Sequence, residues 1–136
     1  MDTSVSNSEA MMAAYRALRD NSASDAAERN QHLLNLLSGT NPAWAWFALR
    51  ELELSASARS KLCRIVARSG NGESMLWVLE DVRDLPLNER NALIEALIGV
   101  KVSYFAMRAL EKILDLNPHQ QKRLENIALG LDPDQK

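Results

Sequence analysis

Leucines return along this chain at a fixed interval. Leu54 and Leu62 are followed by Leu85 and Leu93, and these by Leu116 and Leu124, each step being 31 residues. A long polar residue keeps its place between the members of each pair, as Arg59, Arg90 and Gln121. The segment ahead of each pair repeats too. Leu79, Val82 and Leu85 match Leu110, Ile113 and Leu116 at the same spacing of 31, whereas Leu49 and Leu52 stand one residue closer. Within each segment the apolar positions fall three and four apart, which puts them on one face of an α-helix. Self-similarity at a period of this length is the mark of a repeat architecture.

Each unit reads as two helices. The pairs are expected near 41–53 with 57–69, 72–83 with 87–98, and 103–114 with 118–129. Asn41-Pro42 and Asn117-Pro118 place a capping side chain before a proline at the first helical position, where a missing N–H costs nothing. Gly39, Gly70, Gly99 and Gly130 each stand where a helix should end, and a left-handed terminator favours glycine. A weaker unit comes first, with helices near 8–20 and 24–38 and a core stripe of Leu33, Leu34 and Leu37. It reads as a capping repeat, because terminal repeats are atypical. The expected organisation is a disordered N-terminus over residues 1–7, a single helical-repeat domain over 8–130 and a tail over 131–136.

The stretch from Arg90 to Gly99 (RNALIEALIG), followed by Ser103 to Leu110 (SYFAMRAL), resembles HEAT-like repeats. It is similar to their short variety, near 31 residues, known from phycobilin lyases. The resemblance covers residues 41–130. It implies an all-α fold, a right-handed α-solenoid of about four stacked antiparallel helix pairs, since stacked pairs bury a continuous core that one pair cannot bury alone. It also implies that the second helix of each pair lines an inner, concave side.

Composition adds bounds. At 136 residues, 46% hydrophobic and 25% charged, the chain can close one core without metals or disulfides. The net charge of −2 argues against a strongly basic nucleic-acid binder. Cys63 is the single cysteine, which excludes an internal disulfide and fits a reducing compartment. The polar, serine-rich start carries neither a basic nor an apolar signal region, and no apolar run approaches the roughly 18 residues of a membrane span. A cytoplasmic protein without membrane attachment is expected.

Candidate chemistry is sparse. His32 and His119 lie in different units, and neither has a His or Cys at the spacing of metal ligands. Cys63 reads as a packed side chain, although Lys61 and Arg64 beside it would suit an activated thiol. The run from Ser69 to Gly72 reads as a turn between units rather than a phosphate loop. Glu80, Asp81 and Asp84 read as solvated charge at helical spacing. No enzyme, metal or cofactor is expected.

The expectation that remains is a non-catalytic protein–protein interaction module, a small adaptor, inhibitor or regulator. On a helical wheel the side of each second helix opposite its core stripe holds Gln31 and Asn35, then Ser60 and Arg64, Asn91 and Glu95, and Lys122 and Asn126. All are polar, and they form the expected partner-binding inner face. Arg50, Arg59, Lys61, Arg64 and Arg68 outweigh Glu51 and Glu53 in residues 41–70, whereas residues 71–100 are acidic. Opposite signs on neighbouring units would orient a partner more than hold it.

Among the aromatic residues, Phe47 and Trp77 occupy equivalent positions off the leucine stripe, with Arg108 in the same place later. They read as packing residues or, alternatively, as an aromatic surface for a protein partner. Two further alternatives stay open. One is a nucleic-acid-binding helical repeat using Lys61, Arg64 and Arg68, which share a face at i, i+3 and i+7; the other is a non-catalytic subunit of an enzyme or secretion complex. The last helix, with Leu124, Ile127, Ala128 and Leu131, offers an open end for a homodimer.

Overall fold

Asparagine side chains start three of the eight helices found among the described residues, which are 3–20, 25–82 and 84–131 of a computed structural model. Asn41 Oδ1 accepts from the backbone N–H of Ala43 and Trp44, and Asn71 Oδ1 from that of Ser74. Asn117 forms a reciprocal capping box, with Oδ1 accepting from Gln120 N and Gln120 Oε1 accepting from Asn117 N. Each cap satisfies amide groups that have no partner inside the helix. The order is α1 (Thr3–Arg19), α2 (Ala26–Leu37), α3 (Pro42–Glu51), α4 (Ala56–Arg68), α5 (Gly72–Asp81), α6 (Leu87–Val100), α7 (Ser103–Lys112) and α8 (Pro118–Ala128).

The fold is all-α, with helices packed in sequential pairs: α1 on α2, α3 on α4, α5 on α6 and α7 on α8. These divide into two compact units, Met1–Ser69 and Gly70–Lys136. In the first, α1 also packs on α3 and α2 on α4. Met11, Leu36, Ala45, Leu62 and Val66 are enclosed there, and the Met11 sulfur accepts the Asn41 N–H at 3.2 Å. In the second, α5 also packs on α7, and α6 on both α7 and α8. Its core includes Met75, Val78, Leu93, Ile94, Ile98, Leu124 and Ile127.

Helices α3, α5 and α7 are each ten residues long and end alike. Leu52, Val82 and Ile113 leave the helix in extended backbone while their N–H groups still bond four residues back. An apolar residue follows two or three places on, as Leu54, Leu85 and Leu116, and Leu85 is buried.

Several expectations need correcting. Helix α1 begins at Thr3, ahead of the start expected near residue 8. In α2 the buried leucine is Leu36, with Leu33 and Leu37 half-buried on its flanks and Leu34 exposed. The stripe is thus turned by about one residue from that expected, because α2 faces α1 and α4 together. Gly70 and Gly130 adopt the left-handed conformation, with φ of 72° and 74°. Gly99 lies inside α6, and Lys101 (φ 58°) takes the left-handed position two residues later. The backbone there follows the packing of Ile98 rather than the glycine. Gly39 is buried. Arg83 and most of the expected tail, residues 132–136, lie outside the described residues.

No helix among the described residues is long and apolar enough to cross a membrane.

Candidate interaction surfaces

In the first unit, the C-terminal half of α4 and the end of α2 enclose a cleft of about 320 Å³. Lys61, Arg64 and Arg68 line it from α4, together with Ile65 and Ser69, while Leu37, Gly39 and Thr40 line it from the end of α2. Burial of Leu62 and Val66 fixes the roll of α4 and turns the intervening cations outward. All three are exposed, and among the described residues none has an ion-pair or hydrogen-bond partner. Both helices that meet here end at the cleft, and helix C-termini carry partial negative charge. Two such ends amount to about one negative charge against three full cations, so the cleft keeps a surplus of positive charge. The terminal carbonyls are also served by serines. Ser38 Oγ donates to Leu34 O and Ser69 Oγ to Val66 O.

Of the inner-face residues in this unit, Arg64 is therefore placed at the cleft, with Ser60 half-buried one turn earlier. Gln31 and Asn35 are exposed on α2, where Gln31 Nε2 donates to Asn35 Oδ1 at 3.1 Å. Cys63 is buried beside these cations instead of opening onto the cleft.

In the second unit the corresponding residues hold helices together. Asn91 Oδ1 accepts from the Nε2 of Gln120, a buried residue on α8, and Glu95 forms an ion pair at 2.9 Å with Arg123. Both therefore bridge α6 and α8, a contact between helices that a wheel drawn for one helix does not show. Lys122 is exposed and Asn126 half-buried on α8. Leu124 and Ile127 are enclosed within the unit, which leaves Leu129 and Leu131 as the exposed apolar residues at the open end considered for a homodimer.

The same unit carries a surface the pattern missed. A hollow of about 400 Å³ is bordered by Leu79, Leu85, Leu87, Arg90, Lys112, Leu114 and Asp115, with Glu80 also on its wall. Leu114 is 93% exposed and Leu87 69%. Leu114 lies past the end of α7, where helical periodicity carries no information about burial. Arg90 on α6 holds Asp115 in a direct ion pair, and this hydrogen-bonded guanidinium keeps the Asp115 carboxyl below the usual carboxylate range.

The aromatic positions part company. Phe47 is half-buried, its ring 4.6 Å from Trp46, 5.4 Å from Trp44 and 6.0 Å from Tyr15. Arg50 lies over Trp46 at 4.4 Å and over Phe47 at 5.2 Å. This is an internal cluster of the first unit, bounded by cation–π contact. Trp77 is half-buried on α5, and Arg108, at the matching position of α7, pairs with Glu80.

Among the described residues no three His, Cys, Asp or Glu side chains gather as a metal site. No family model, no curated protein and no solved structure matches this chain.

Proposed function

We propose that this chain is a non-catalytic protein–protein interaction module, a small adaptor, inhibitor or regulator made of HEAT-like helix pairs. It engages its partner through second helices, with the Ser60–Arg64 face of α4 foremost. The observation that carries this reading is the α4 cleft, where three exposed cations stand without internal partners. Arginine is favoured where partners are bound, because its planar donors match carboxylates in fixed geometry. The shared length and ending of α3, α5 and α7 support the repeat reading.

Affinity capture from native lysate tests it, comparing the wild type with an Arg64→Glu, Arg68→Glu double variant, both checked for helicity by circular dichroism. A partner kept by the wild type and lost by the variant is the expected result. Equal retention would refute binding through the second helices and turn attention to Leu87 and Leu114.

The same cations favour one second reading, a nucleic-acid-binding face at Lys61, Arg64 and Arg68. A salt-sensitive mobility shift with DNA or RNA would favour it.

A further inference from the structure

Resting on the protein-binding reading, we propose that the α4 cleft recognises an acidic amphipathic peptide segment, in which one aliphatic side chain is flanked by carboxylates. The cleft has two chemistries. Leu37 and Ile65, both half-buried, supply an apolar floor that water still reaches. Lys61, Arg64 and Arg68 stand at the mouth, separated by three and four residues along α4. That spacing sets the cations on one ridge, so they face a ligand as a row.

A volume of about 320 Å³ suits one or two side chains. A duplex or a long single strand draws on many phosphate contacts and needs an extended basic surface. Here three cations gather at one concavity, whereas Arg50 and Arg19 elsewhere in the unit are tied to Glu51 and Asp20. An aliphatic anchor buries the floor, and flanking carboxylates pair with the row, two of whose members can bind in the bidentate manner of arginine. Because the cations are exposed, their contribution is screened by salt and gives orientation and rate more than affinity.

Fluorescence anisotropy with labelled synthetic peptides of about 15 residues, long enough to cover the face of one helix, tests the assignment. The first probe has a central leucine flanked by glutamates, the second carries glutamines in their place, and the third keeps the glutamates but has alanine for leucine. A labelled single-stranded oligonucleotide is the fourth. The glutamate–leucine peptide should bind best, and about tenfold more weakly when salt is raised from about 50 to about 300 mM.

Arg64→Glu with Arg68→Glu should weaken binding by about tenfold or more. Ile65→Ala should weaken the leucine peptide several-fold and leave the alanine peptide unchanged. Equal binding of glutamate and glutamine peptides, no binding at low salt, or tighter binding of the oligonucleotide each overturns the acidic-peptide assignment. If the lysate partner is still lost on Arg64→Glu while the peptides fail, the interaction module stands and only the chemistry of its ligand falls.

Discussion

Gly72, the first residue of α5, lies directly against the ring of Phe105 on α7. A Cβ atom built there would stand 2.5 to 3.0 Å from three ring carbons. The contact requires glycine for closeness, not for an unusual backbone angle, and it sets how near α5 and α7 can approach.

Gly72→Ala should therefore destabilise the protein by about 1–3 kcal/mol through overpacking. Phe105→Leu in the same chain should recover part of that loss, since the two changes share one contact. Urea titrations of both single variants and the double variant check this. Strict additivity of the two effects would show that the ring and the glycine do not meet.

Gln120 is only 3% exposed and joins two devices, the α8 capping box and the bond to Asn91. Gln120→Leu leaves Asn91 and the Asn117 amide without their partner, and should cost about 1–3 kcal/mol. Asn117→Ala removes the cap alone and should cost about 1 kcal/mol. Thermal melts that rank the two in the opposite order would contradict the network.

Lys101 holds a left-handed backbone angle that a side chain disfavours. Lys101→Gly should stabilise the fold by roughly 0.5 kcal/mol after the larger backbone entropy of glycine is offset. Gly130→Ala, at φ 74°, should do the reverse. Matching changes in melting temperature of opposite sign are the expected readout.

The Arg90–Asp115 pair makes stability depend on acid. Asp115 is held below its ordinary pKa in the folded chain, so its contribution is present above the unfolded value. It is lost as pH falls through the folded value, below the usual carboxylate range. Asp115 is largely exposed, which keeps the contribution under about 1 kcal/mol. Asp115→Asn should lower stability at neutral pH by that amount and bring the two proteins together at the acid end.

Much of this architecture was legible in the spacing of leucines and in Asn-Pro pairs, because helix caps and buried stripes follow local chemistry. Asn41 and Asn117 cap where the sequence places them, and Leu62, Leu93 and Leu124 are all enclosed. What the pattern missed depends on neighbours. Leu36 replaces the expected leucines of α2 because two helices cover it, and Gly99 is passed over because packing carries α6 on to Val100. A wheel drawn for one helix cannot show that Asn91 and Glu95 bond to α8. Leu87 and Leu114 escaped notice because an exposed leucine looks like a core leucine in sequence.

Within each unit every helix packs on the next one or the next but one, and this bears on the order of events as the chain is made. Partners so close in sequence meet after short loop closures, which favours folding on roughly the microsecond-to-millisecond scale. Translation proceeds far more slowly, at about 5–20 residues per second. The helices up to Ser69 can thus find one another on a nascent chain before the residues from Gly70 onward have emerged, and leucines such as Leu62 spend little time open to the wrong partner.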